Sequence, residues 1–175
     1  MKRMLVLAAK ASLVMLGLTI GAAALAAPVP TWDAAVGGPG RFKVLKSFAD
    51  QAVLDKETGL VWQKVISPLT VSFRGAVLAC TELSVASRRG WRLPTAEELS
   101  SLMDVSQTNP PVAAGSPFEN LVADVNTAYW TTTASPGLQG FRIGWTFADV
   151  GTVVEAPETT AIRAWCVRGG QNTVQ

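Results

Sequence analysis

Polar and apolar positions change period twice along this chain. Gln51–Leu54 and Leu60–Val65 alternate as two β-prone runs, separated by Asp55-Lys56-Glu57-Thr58-Gly59, which predicts a hairpin with a bulged turn. Trp62 shares a strand face with Leu60 and Lys64 and is assigned to the core. Ser67-Pro68 ends that pattern, and a helix is predicted from Val71 to Ala86 with Thr70 as its cap. Its buried face is Phe73, Ala76, Val77, Cys80 and Leu83. A second, shorter helix follows Pro94, because proline disfavours helical backbone at Leu93 before it. There Thr95 and Glu98 have the spacing of a reciprocal capping box, Glu97 and Glu98 suit the positive end of the helix dipole, and Leu99, Leu102 and Met103 turn inward. Residues 106–128 show little periodicity and carry Asn109-Pro110-Pro111 and Gly115-Ser116-Pro117, the pattern of a long loop. Strands are predicted near Ala128–Thr133, Phe141–Ala148, Thr152–Val154 and Ile162–Arg168. Helices early and antiparallel strands late make an α+β domain, two short helices packed on a small twisted antiparallel sheet.

The first residues follow a different rule. Met1-Lys2-Arg3 is positively charged, Leu5–Leu25 is apolar apart from Lys10, Ser12 and Thr19, and Ala24-Leu25-Ala26 has the small-x-small form of a cleavage site. Residues 1–26 therefore read as a signal peptide, and the expected location is the periplasm or the medium. The alternative is a retained anchor, since the run from Ala11 to Ala27 is near the lower limit for spanning a bilayer. Residues 27–40, rich in proline and glycine, form a loosely held lead-in with Trp32; residues 41–170 are the domain, and 171–175 a tail.

Removing the leader changes the charge. Fifteen Lys and Arg less Lys2, Arg3 and Lys10 leave 12 against 13 Asp and Glu, so the formal charge moves from +2 to −1. The remaining charge is unevenly placed: nine basic and four acidic residues lie between Arg41 and Arg92, one basic and eight acidic between Leu93 and Thr160. Arg41, Lys43 and Lys46 form one basic cluster, and Arg88, Arg89 and Arg92 another. Such clusters can concentrate an anionic partner, although they serve equally as solvated surface. They are too short for nucleic-acid recognition, which export also argues against.

Histidine is absent from the sequence. That removes Ser-His-Asp and Cys-His nucleophile systems and histidine-ligated zinc. Glu97 and Glu98 are adjacent on a helix and point apart, which suits capping better than paired acid–base catalysis. No metal, cofactor or catalytic residue is assigned. Trp62, Trp91, Trp130, Trp145 and Trp165 lie in strand-like positions and are read as core rather than as a sugar-stacking platform.

Several segments together resemble the bacterial Lcl C-terminal domain family. These are Thr58-Gly59-Leu60-Val61-Trp62-Gln63-Lys64, the helix positions Phe73, Ala76, Cys80 and Leu83, Gly90-Trp91-Arg92-Leu93-Pro94-Thr95 with Glu98-Leu99, Tyr129-Trp130-Thr131-Thr132, the late hairpin positions Trp145, Phe147, Gly151 and Val153, and Cys166-Val167-Arg168-Gly169-Gly170. Their order over about residues 41–170 is more specific than any one of them. The resemblance implies a C-type-lectin-like fold, related to that of the formylglycine-generating oxidases and used mostly for binding. In lectin-like folds the long-loop region is where ligands dock. The calcium motifs of the sugar-binding members are missing, however, and only Cys166 lies where the oxidases keep a reactive cysteine pair. The expectation is a non-catalytic exported module that recognises glycans or another polyanion, with Arg41, Lys43, Lys46, Arg88, Arg89 and Arg92 as candidate contacts. The competing expectation is a structural domain or one that binds an envelope protein, with no small ligand. An oxidising compartment and an even cysteine count predict a Cys80–Cys166 disulfide, and a helix-to-last-strand bridge is also what the resemblance implies.

Overall fold

A computed structural model describes residues 40–107, 110–113, 115–149 and 151–169. The expected signal peptide, most of the lead-in with Trp32, and the tail lie outside these. The described chain is a mixed α+β domain with two helices and two sheets. Phe42–Val44 (β1), Ala52–Asp55 (β2), Val61–Gln63 (β3) and Val167–Arg168 (β9) form the first sheet in the order β1-β2-β3-β9, all antiparallel. Thr70–Val71 (β4), Ala128–Ala134 (β5), Phe141–Thr146 (β6), Thr152–Pro157 (β7) and Ile162–Arg163 (β8) form the second, in the order β4-β8-β5-β6-β7. Here β5 and β8 run parallel, so the single antiparallel sheet expected from the sequence is two sheets with one parallel contact.

The hairpin forms where alternation places it. Gly59, at φ +72°, closes the β2–β3 turn, and its amide donates to the Asp55 carbonyl at 2.8 Å. A left-handed residue is needed there, and glycine adopts that backbone without a Cβ clash. Downstream the expectation shifts. The first helix (α1) is Phe73–Glu82 rather than 71–86, and its cap is Ser72, whose hydroxyl accepts from the Gly75 amide at 3.3 Å. Thr70 and Val71 pair instead with Arg163 and Ile162 as β4, where β-branched side chains are favoured. At the other end Leu83 leaves helical backbone and Ala86 and Ser87 adopt positive φ, turning the chain into a tight Val85–Arg88 bridge.

The second helix (α2), Ala96–Ser100, carries the predicted capping box in full: the Thr95 hydroxyl accepts from the Glu98 amide at 3.2 Å and the Glu98 carboxylate from the Thr95 amide at 2.9 Å. The segment before it is joined to β5. Thr132 donates its amide to the Pro94 carbonyl at 2.8 Å, and the Thr133 hydroxyl accepts from Ala96 at 3.0 Å.

The strand expected over Ile162–Arg168 is divided. Ala164, Trp165 and Cys166 are consecutive and all buried, which one strand with a solvent face cannot provide. The chain leaves the second sheet after Arg163 and joins the first at Val167, and these three residues cross between them. That crossing brings Cys166 to Cys80 on α1, and the two are disulfide-bonded. The buried side chains form two clusters. One packs α1, the disulfide, Trp91 and Trp130; the other gathers Trp62, Tyr129, Phe147, Trp165, Leu99 and Leu102. Four of the five tryptophans assigned to the core are therefore buried, while Trp145 is only partly so.

The long loop is held by its own packing. Phe118 sits edge-on to Phe42 and Trp165, with centroids 5.1 and 4.8 Å away. Glu119 exchanges backbone hydrogen bonds with Lys64 and Ile66, and its carboxylate meets Lys64 Nζ at 2.7 Å. No helix among the described residues is long and apolar enough to cross a membrane.

Candidate functional site

The basic residues separate into two groups once their surroundings are known. Arg41 is 4% exposed. Its Nε and Nη2 donate to the two Asp55 carboxylate oxygens at 2.8 and 2.7 Å, Nη2 also donates to the Ser101 carbonyl, and Nη1 lies 2.9 Å from Glu57. Burial opposes its charge, but the hydrogen bonds and charge of Asp55, with Glu57 and Asp104, outweigh burial and raise its pKa above the ordinary arginine value. Arg92 forks onto both oxygens of Glu98 at 2.6 and 2.8 Å and donates to the Gly169 carbonyl at 2.6 Å. These two arginines were candidate ligand contacts. Their guanidiniums are instead spent inside the domain, one bracing the hairpin and the other tying the α2 cap to the chain after β9.

Lys43, Lys46, Arg88 and Arg89 are exposed and belong to none of the ion pairs among the described residues. Lys46 opens a one-turn 3₁₀ segment, Lys46–Phe48, that ends on Ala49 and Asp50, both at positive φ. That reversal tucks the Phe48 ring inward, 6% exposed, with Trp91 edge-on at 6.2 Å. The Arg88 guanidinium lies 4.7 Å from the centre of the same ring, and its Nη1 donates to the Ser47 carbonyl. Arg168, from β9, places its own guanidinium 5.7 Å from the ring. Arg88, from the second cluster, and Arg168, which was not among the candidate contacts, thus meet around Phe48, a ring two positions after Lys46 of the first cluster. Lys43 stands apart on β1, opposite Leu54.

Phe48 and Arg168 left little trace in the sequence. Phe48 follows Lys46 in a stretch without periodicity, and Arg168 lies inside the terminal motif, where its neighbours read as strand. The signal that could have found them is chemical: an aromatic ring is a common resting place for guanidinium groups. Among the described residues no three His, Cys, Asp or Glu side chains converge to hold a metal ion.

The model of the Lcl C-terminal domain matches residues 51–168. The chain belongs to that family. No curated protein and no solved structure matches it. Within this Lcl C-terminal domain the segments that carried the resemblance are bonded to one another. Arg92 and Val167 exchange two backbone hydrogen bonds of 2.9 Å, Trp62 pairs with Val167, and Trp165 Nε1 donates to the Gln63 carbonyl at 2.8 Å. The resembling segments build the frame that carries Lys46, Arg88 and Arg89, and one of them itself supplies Arg168.

Proposed function

We propose that this protein is an exported, non-catalytic binding module that holds an anionic ligand, a glycan or another polyanion, on the face formed by Lys46, Arg88, Arg89 and Arg168. The observation that carries the reading is the pair of guanidiniums resting on Phe48 without a carboxylate partner among the described residues, whereas Arg41, Arg92 and Arg142 each pair with a carboxylate. Cations fixed by stacking lose less side-chain freedom on binding than cations moving in solvent. A C-type-lectin-like topology fits the two-sheet, two-helix arrangement and belongs to the same proposal. So does export: the mature chain would begin at Ala27, after the Ala24-Leu25-Ala26 site, in the periplasm or the medium. Mass spectrometry of the exported protein tests this, and a full-length membrane-anchored species would refute it.

Retention on a sulphated-polysaccharide resin tests the ligand class. The wild type should elute at a salt concentration that falls clearly for Arg88→Ala/Arg89→Ala and for Arg168→Ala, but not for Arg74→Ala, an exposed arginine outside the cluster. Screening within about 10 Å at 0.1 M salt makes binding of this kind steeply salt-dependent. Wild type passing through the column at low salt overturns the anionic ligand. The alternative is an envelope domain that meets a protein partner and no small ligand.

A further inference from the structure

We infer that a cleft of about 280 Å³, away from the stacked arginines, receives a primary ammonium group on an alkyl stem, such as a partner protein's lysine side chain or a free aliphatic diamine. The cleft lies between the start of β1, the β2–β3 turn and the chain after α2, and is lined by Arg41, Glu57, Met103, Asp104, Val105 and Ala113. That volume leaves room for a lysine-length chain.

Three properties select the occupant. The walls are partly apolar: Met103 and Ala113 line the interior, and Val105 stands at the rim with 77% of its surface in solvent. The guanidinium in the cleft is already engaged, since Asp55, Glu57 and the Ser101 carbonyl take its Nε, Nη1 and Nη2 groups. The carboxylates outnumber it. Glu57 and Asp104 line the cleft with Asp55 behind, and these three carboxylates still exceed Arg41 and the nearby Lys56, which keeps its charge while donating its Nζ to the Gly40 carbonyl at 2.6 Å. The Ser106 hydroxyl and amide both donate to Asp104, stabilising its ionised form. Negative charge in excess beside apolar side chains matches a cation with a hydrocarbon stem and repels carboxylates and phosphates. This inference does not depend on the anion-binding reading.

Amide chemical-shift titration of the folded domain tests it, with pentylammonium, 1-pentanol, pentanoate, cadaverine and N-acetyl-lysine amide as probes. Pentylammonium should give saturable shifts at Arg41, Met103, Val105 and Ala113 in the millimolar range, roughly −4 kcal/mol of binding. Pentanol and pentanoate should give none. Asp104→Asn, which leaves the Arg41–Asp55 pair intact, should weaken binding several-fold, and Glu57→Gln/Asp104→Asn by about tenfold. Stronger binding of N-acetyl-lysine amide than of cadaverine assigns the cleft to a protein's lysine; the reverse assigns it to a free diamine. Equal shifts with pentanol, shifts that do not saturate, or unchanged affinity in Asp104→Asn would overturn the inference.

Discussion

Two cations of the same sequence cluster are used in opposite ways. Arg41 and Lys46 are five positions apart, yet one is sealed against Asp55 and the other stands in solvent. Asp55 is fully buried and has further duties: it accepts from the Glu57 amide at 3.1 Å and the Thr58 hydroxyl at 2.8 Å, holding the hairpin turn. Removing one partner of a buried pair leaves the other charge uncompensated, which costs about 3–5 kcal/mol. Asp55→Ala should lose stability of that order in urea unfolding monitored by tryptophan fluorescence. Lys46→Ala should stay within about 0.5 kcal/mol of wild type, as surface changes usually do. Equal losses for the two would remove Arg41 from its structural role.

Among the elements, α1 depends most on a distant contact. It is short, and its cap is one serine hydroxyl, so tertiary packing supplies much of its stability. The Cys80–Cys166 bond ties it to the crossing between the sheets, across a sequence separation of 86. The chain-entropy model assigns a loop of that length about 4–5 kcal/mol, a large share of a typical domain stability of about 5–15 kcal/mol. Cys80→Ser/Cys166→Ser should therefore unfold at much lower denaturant concentration, and native wild type should show no titratable thiol. The α2 cap is a smaller effect. Thr95→Ala should cost about 1 kcal/mol, while Glu98→Ala should cost more because it also frees Arg92.

At the scale of the whole molecule, the two sheets and the long loop meet at Tyr129. Its ring is fully buried, edge-on to Phe147, and its hydroxyl accepts from the Val122 amide at 2.9 Å and donates to the Val122 carbonyl at 3.2 Å. Burial raises its pKa above the ordinary tyrosine value, against the opposing pull of the Val122 hydrogen bond and Arg163. Because the folded-state value is the higher one, this contribution to stability is complete below about pH 10 and is lost as pH rises through the folded-state value. Denaturant midpoints measured across that range should fall for the wild type and fall less for Tyr129→Phe. Parallel decline in both would assign the loss to another group.

Much of this arrangement was legible in the chain before any coordinates. The pairing of the only two cysteines followed from their even number and the expected oxidising compartment, and wherever a residue's role depends on near neighbours, the sequence carried it: the Asp55–Gly59 turn, the Thr95–Glu98 box, the inward stripe of Ala76 and Cys80, and the burial of Trp62. Local hydrogen bonds and side-chain periodicity decide such features. Other features depend on which distant segment completes a contact. Thr70 and Val71 became strand because β8 lies beside them, and Ile162–Arg168 divided because two sheets compete for its backbone. The candidate site was hidden for the same reason. A carboxylate within reach turns Arg41 and Arg92 into struts, and a shared ring turns Arg88 and Arg168 into neighbours. Charge along a sequence counts ions; only the folded chain decides which of them are neutralised, because Coulomb and hydrogen-bond energies depend on separation in space.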